Sequence, residues 1–162
     1  KAAPLPAPTP VPPGAALVLT ALPDLPDGPD GPCAPWLRAV AEAFPAPGWH
    51  VLPASRDAHQ VAADVRFHRP AVVLVRDPTE GADDYDRAQA LLAAVAALPG
   101  RVREAMTVIV VGAFAEGDPL AAFRLGADVV LAVENTADAA ARLQGAHGAT
   151  VAKPSYFRAE QG

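Results

Sequence analysis

Short apolar runs alternate with segments of helical spacing along most of this chain. Five of the runs are uncharged and rich in apolar residues, which is typical of strands buried on both faces. They occupy residues 15–20, 49–52, 71–75, 107–111 and 129–133. Between them, apolar side chains recur every three or four residues, as on one face of a helix. This alternation predicts an α/β domain in which a parallel sheet is covered by helices on both faces.

Capping residues mark the ends of the predicted helices. Pro35 fits the first turn of the first helix, and Asp57 can cap the second. The third helix is predicted over residues 85–98, where a Pro-Gly pair stops it. Thr136 can cap the last helix, which is predicted to reach about residue 143.

The fourth predicted helix has the clearest signals at both ends. Asp118 is its expected cap, a proline follows in the first turn, and Gly126 ends it. Its large apolar residues are Leu120, Phe123 and Leu125. The sequence therefore predicts a short, well-defined helix just before the fifth strand.

Composition divides the chain into three parts. Residues 1–14 contain six prolines and no apolar periodicity, so they are predicted to form an extended, semi-rigid spacer that does not pack. A proline-rich segment can also be a ligand for an aromatic-lined groove, and that alternative stays open. Residues 15–145 form the predicted domain, because 162 residues with 51% hydrophobic content can bury one core. Residues 146–162 are predicted to be a C-terminal tail.

Charge and side-chain chemistry exclude several classes of function. The net charge is −5 and the 13 basic residues are scattered, so no nucleic-acid ligand is expected. No apolar run approaches the roughly 20 residues that cross a bilayer, and the single cysteine, Cys33, fits a reducing compartment. The four histidines lack metal-ligand spacing, and no nucleophile motif surrounds Ser55 or Ser155. We expect no enzyme activity, metal, cofactor or membrane span in what is predicted to be a piece of a longer cytoplasmic protein.

Three stretches of the chain carry a family resemblance. They are Gly-Trp-His-Val-Leu at residues 48–52, His-Arg-Pro-Ala-Val-Val-Leu-Val at 68–75 and Leu-Gly-Ala-Asp at 125–128. On these residues the chain resembles the receiver domain of bacterial two-component response regulators, over roughly residues 15–143. The resemblance implies a doubly wound, flavodoxin-like sandwich of five parallel strands in the order 2-1-3-4-5, with ligands at the carboxyl ends of the strands.

The positions that carry phosphorylation chemistry in this family hold unsuitable residues here. The acidic pair that binds magnesium after the first strand corresponds to Thr20 and Ala21, and the phosphorylated aspartate ending the third strand corresponds to Arg76. A guanidinium is always charged and is no nucleophile, so it cannot form an acyl phosphate. Our hypothesis is that Arg76 replaces the cation as a fixed positive charge and pairs with an acid such as Asp24 or Asp77.

The remaining switch positions of the family have also lost their functional groups. The hydroxyl residue after the fourth strand corresponds to Gly112, the aromatic residue of the fifth strand to Val130, and the lysine after it to Val133. Asp77 is the one rival phosphate acceptor, but using it requires a one-residue slip that reverses the face of every side chain. Its expected role is to cap a turn or to lie solvated in a loop. We call Thr20, Ala21, Arg76, Asp77, Gly112, Val130 and Val133 the degenerate pocket.

Two functions remain open at this point. The first is phosphorylation-independent binding of a protein partner, or self-association, within a bacterial signalling, localisation or scaffold protein. The resemblance implies that partners use the face formed by the fourth helix, the fifth strand and the fifth helix. The residues predicted on that face are Leu120, Arg124, Asp128 and Ala132. The alternative is a flavodoxin-like domain that binds a small molecule or cofactor at the carboxyl ends of the strands.

Overall fold

The strands form one parallel sheet in the predicted order. The structure, a computed structural model, describes residues 4–22, 33–80 and 85–152. Its strands are β1 (Ala16–Ala21), β2 (Trp49–Pro53), β3 (Val72–Arg76), β4 (Thr107–Gly112) and β5 (Val129–Ala132). Neighbouring strands are parallel, and their order across the sheet is β2-β1-β3-β4-β5. The predicted α/β class and strand order are confirmed, and the architecture is consistent with a flavodoxin-like fold.

Helices cover both faces of this sheet. They are α1 (Ala34–Ala43), α2 (Ala58–His68), α3 (Tyr85–Ala96), α4 (Gly100–Glu104), α5 (Pro119–Leu125) and α6 (Ala139–Ala152), with a 3₁₀ turn at Pro78–Glu80. α1 and α6 pack on one face, whereas α2, α3 and α5 pack on the other. Within the residues that the structure describes, no helix is long and apolar enough to cross a membrane.

The central strand β3 shows why the strand sequences are uninterrupted apolar runs. Val72 and Leu74 belong to the core beneath α1 and α6, whereas Val73 and Val75 belong to the core beneath α2 and α3. Successive side chains of a strand point to opposite faces, and here both faces are covered by helices. All four side chains are consequently buried.

Most of the predicted helix ends are confirmed, and one cap is wrong. Asp57 Oδ1 accepts a hydrogen bond from the His59 amide at 2.9 Å, and Gly126 ends α5 with a φ of 70°. Asp118 Oδ1 accepts from the first amides of α5, as predicted. Thr136 does not cap α6, because the helix begins three residues later, after Asp138 adopts the left-handed conformation with a φ of 53°.

Two helix lengths differ from the prediction. The third helix ends at Ala96, and a further short helix, α4, starts directly after Pro99. Proline both stops the first of these helices and is tolerated at the start of the second, where its missing N–H needs no partner. The sequence pattern does not reveal α4 because this helix buries none of its residues.

The last helix extends to Ala152, so the predicted tail boundary at residue 146 is wrong. Ala146 is buried against the sheet, and the His147 ring packs edge-on against Trp49 at 5.4 Å between centroids. His147 Nδ1 also lies 3.1 Å from the Thr107 hydroxyl. Tertiary packing therefore continues the helix through a glycine-containing segment that local propensity disfavours.

The proline-rich segment is packed, which corrects the prediction of a spacer that does not pack. Residues 4–12 contain no helix or strand. Nevertheless, Val11 contacts the core beneath α2 and α3, and Thr9 is hydrogen-bonded to Asp64 of α2. The prediction relied on apolar periodicity, which does not detect a segment that is held mainly by polar contacts.

His147 makes the stability of the fold dependent on pH. Burial lowers its pKa below the ordinary value near 6.5, so the unfolded chain binds this proton more tightly than the folded chain. Neutral His147 therefore contributes to the free energy of unfolding at pH values above about 6.5. This contribution is lost as the pH falls towards the pKa of His147 in the folded chain. We expect a lower urea midpoint at about pH 5.5 than at about pH 7.5, and a smaller difference for His147→Gln. Circular dichroism follows the unfolding in urea. If the midpoint of His147→Gln changes with pH as much as that of the wild type, His147 is not the source of the pH dependence.

Candidate functional site

Most of the degenerate pocket lies along the carboxyl edge of the sheet. Ala21 of β1 pairs with Val75 of β3, and Arg76 pairs with Val111 of β4. Further along the same edge, the Val133 amide donates to the Gly112 carbonyl at 2.9 Å. The structure therefore brings together the ends of β1, β3, β4 and β5.

Two members of the predicted set are parts of the strands rather than of an open site. Thr20 is buried in β1, and its carbonyl accepts from the Ala54 amide at 2.7 Å. Val130 is fully buried in the middle of β5, opposite Val110, beneath the helices of the α2 and α3 face. Both side chains fill the core.

Arg76 occupies the position where the receiver resemblance implies the reactive aspartate. Strand alternation directs it towards the face of α1 and α6, and its Nη1 donates to Cys33 Sγ at 3.2 Å. Cys33 is buried at the start of α1. The guanidinium thus contacts the neighbouring element across the end of the strand. Asp24, one suggested partner of Arg76, lies outside the described residues.

Asp77, the other suggested partner, is bonded to its own turn. Its Oδ1 accepts from the Thr79 amide at 2.9 Å and from the Thr79 hydroxyl at 2.7 Å. These bonds cap the 3₁₀ turn, and the residue is only 6% exposed. The expected capping role is confirmed, whereas a solvated position in a loop is not what the structure shows.

A buried arginine that the sequence pattern did not reveal also lies at this edge. Arg87 of α3 is 7% exposed, and it donates to the Leu22 carbonyl at 2.7 Å and to the Ala54 carbonyl at 3.2 Å. Leu22 directly follows β1 and Ala54 directly follows β2. The sequence contained one indication of this burial: Arg87 precedes Leu91 by four residues, so both lie on the same, buried side of α3.

The loop after β4 is held by a network that we call the clamp, formed by Trp36, Glu116 and Arg142. Glu116 Oε1 accepts from the Ala132 amide at 2.7 Å, and Oε2 accepts from Arg142 Nε at 2.5 Å. The Arg142 guanidinium lies over the Trp36 ring, 5.2 Å from its centroid. Trp36 Nε1 in turn donates to the Val133 carbonyl at 2.8 Å. The clamp therefore ties this loop to β5, α6 and α1.

The helix next to the clamp exposes its large apolar side chains. Leu120 is 56% exposed and Phe123 is 83% exposed, although the sequence pattern assigns both to an apolar helix. Ala122 is the buried residue of α5, so the helix packs on the sheet through a small side chain. We call Leu120 and Phe123 the α5 patch. Its charged neighbour Arg124 is exposed on the same helix.

The other two residues predicted for the partner face do not lie on α5. Ala132 is half-buried at the end of β5. Asp128 lies at the opposite, amino edge, where its Oδ2 accepts from the Val108 amide at 2.8 Å and from Arg103 Nη1 at 3.1 Å. The structure therefore groups Leu120 and Arg124 with Phe123, and places Asp128 in a structural contact.

The residues that the structure describes contain no group of three histidine, cysteine or acidic side chains able to hold a metal ion. No protein-family model matches the chain, and the search of curated proteins found no significant relative. The receiver resemblance therefore stays a prediction, while the fold itself stands on the sheet topology.

The chemistry of the pocket predicts that the chain does not accept a phosphoryl group. Arg76 is not a nucleophile, and the Asp77 carboxylate is buried and doubly hydrogen-bonded. We expect no phosphoryl adduct by intact mass spectrometry after incubation with acetyl phosphate and magnesium. A receiver with an intact acidic pocket is the positive control. An adduct that disappears in Asp77→Asn would show that this aspartate is reactive after all.

Proposed function

We propose that this domain is a phosphorylation-independent interaction module that binds a protein partner through the α5 patch. The observation that carries the proposal is a pair of large apolar side chains exposed beside a loop that the clamp holds in place. The receiver resemblance adds the expectation of a larger bacterial signalling, localisation or scaffold protein.

The α5 patch has the properties of an anchor for a partner. Burying a phenylalanine or leucine side chain contributes about 1.5–3 kcal/mol, and such anchors dominate binding when a polar rim surrounds them. Arg124 supplies a charge at the border of the patch. The helix is short but fixed at both ends, by the Asp118 cap and by Gly126. It therefore presents Leu120 and Phe123 in a defined geometry.

The clamp supports binding that does not depend on phosphate. In the family that this chain resembles, a hydroxyl and an aromatic residue modulate this face, and here their positions hold Gly112 and Val130. Near these positions, Glu116 joins the Ala132 amide to Arg142 through its two carboxylate oxygens. A loop held by internal contacts keeps the neighbouring α5 patch in one arrangement. We therefore propose constitutive binding.

Removing the apolar surface of α5 is the direct test. The chain serves as bait to capture a partner by affinity. In the double variant Leu120→Ser and Phe123→Ser, we expect the affinity for the partner captured by the wild type to fall by about 30-fold, or roughly 2 kcal/mol. Phe67→Ser is the matched control, because Phe67 is 58% exposed on α2. Sedimentation velocity of the same variants shows whether the partner is a second copy. Equal capture by both variants, or a change of affinity after phosphate-donor treatment, would refute the proposal.

Disrupting the clamp tests whether the loop orders the binding surface. Glu116→Ala removes both acceptors, so we expect faster hydrogen exchange at the Ala132 amide and a partner affinity reduced several-fold. Glu134→Ala removes an exposed carboxylate nearby and is expected to change neither quantity. If the exchange rate rises while affinity stays the same, the α5 patch binds independently of the clamp.

A further inference from the structure

A polar stripe along α2 holds the proline-rich segment against the domain. Gln60, Asp64 and His68 follow one another at four-residue intervals, which places them on one side of the helix. Gln60 Nε2 donates to the Ala7 carbonyl at 2.8 Å, and His68 Nε2 lies 2.5 Å from the Thr9 carbonyl. The stripe thus contacts the backbone of an extended segment at two points.

Asp64 makes the central contact of this stripe. Its Oδ1 accepts from the Thr9 amide at 2.6 Å, and its Oδ2 accepts from the Thr9 hydroxyl at 2.7 Å. Asp64 is 2% exposed, and Thr9 supplies two of its hydrogen-bond donors. Gln60 Nε2 is a further donor, 3.1 Å from Asp64 Oδ1. A buried carboxylate requires such donors, because an unsatisfied buried charge is strongly unfavourable.

The residues around Thr9 define what the stripe can recognise. Pro8 and Pro10 flank it, and neither has an amide hydrogen, so Thr9 provides the one N–H of this tripeptide. The prolines also favour an extended backbone before any contact is made, which lowers the entropy lost on docking. Together, the amide and hydroxyl of Thr9 match the two oxygens of Asp64.

A cleft adjoins the stripe on the side of the earlier residues of the segment. It has a volume of about 480 Å³, and Leu5 lies at its wall together with Ala62, Leu98 and Val102. Arg66 and Arg69 are also among its lining residues. The cleft therefore offers an apolar position four residues before the threonine.

We propose that this side of α2 is a peptide-recognition groove for a partner protein segment in which prolines flank a threonine and an apolar residue precedes that threonine by four positions. The chain's own residues 4–11 fill the groove in cis. This inference concerns a different surface from the α5 patch and does not rest on the proposed function. A partner segment has the same contacts available once it displaces the internal one.

The Thr9→Pro variant of the full chain opens the groove selectively. Proline removes both donors that face Asp64 and preserves the extended backbone. A fluorescent peptide with the sequence of residues 4–12 is expected to bind this variant at least about tenfold more tightly than the wild type, because a tethered segment competes at an effective concentration on the order of millimolar. Fluorescence anisotropy measures both affinities.

Two controls identify the contact that gives specificity. A peptide in which proline replaces the threonine is expected not to bind, and Asp64→Asn in the Thr9→Pro chain is expected to weaken the parent peptide at least tenfold. Glu42→Gln, on the exposed side of α1, should leave binding unchanged. Equal binding of both peptides, or no binding to the folded Thr9→Pro chain, overturns the proposal.

The wild-type chain gives a readout that does not depend on the folding of any variant. The Thr9 amide is bonded to a buried carboxylate, so its hydrogen exchange is expected to be slow. Peptide at a concentration well above the effective concentration must release the cis segment and accelerate this exchange. A Thr9 amide that exchanges freely without peptide, or one that stays protected at saturating peptide, overturns the proposal.

Discussion

The parallel direction of all five strands is the constraint on which the rest of this structure depends. Because all strands run in one direction, their carboxyl ends meet at one edge, and whatever side chain ends β3 must lie among the neighbouring loops. Here that side chain is Arg76, directly beside β4 and in contact with the start of α1. The topology therefore determines where the last side chain of β3 lies, and the identity of that residue, here Arg76, determines which contacts it can make.

The chemistry at this edge is that of a structural site. Arg87 donates to the carbonyls that follow β1 and β2, and Asp77 caps the turn that follows β3. Buried polar groups are ordinarily hydrogen-bonded; Arg87 uses its bonds to connect two loops, and Asp77 uses its bonds to order its own turn. Charged residues here stabilise the edge from within the protein, which agrees with a role in presenting a surface.

Local features of the fold were predictable from the sequence, and long-range polar contacts were not. Strand positions and the caps at Asp57 and Asp118 follow from patterns within a few residues. By contrast, the Trp36 bond to Val133 joins residues 97 positions apart, and the Thr9 bonds to Asp64 join residues 55 apart. No periodicity encodes such pairs. The exposure of Phe123 was also hidden, because an apolar residue at helical spacing ordinarily faces the core.

The two proposed surfaces solve different physical problems. The α5 patch is apolar and can remain in water without a partner, since exposed apolar side chains are tolerated singly or in pairs. The α2 groove contains a buried carboxylate that needs donors at all times. Residues 4–11 cover this carboxylate and supply two of its donors, the amide and the hydroxyl of Thr9. In the proposed exchange, a partner segment that carries the same two donors would keep Asp64 hydrogen-bonded when it replaces the cis segment.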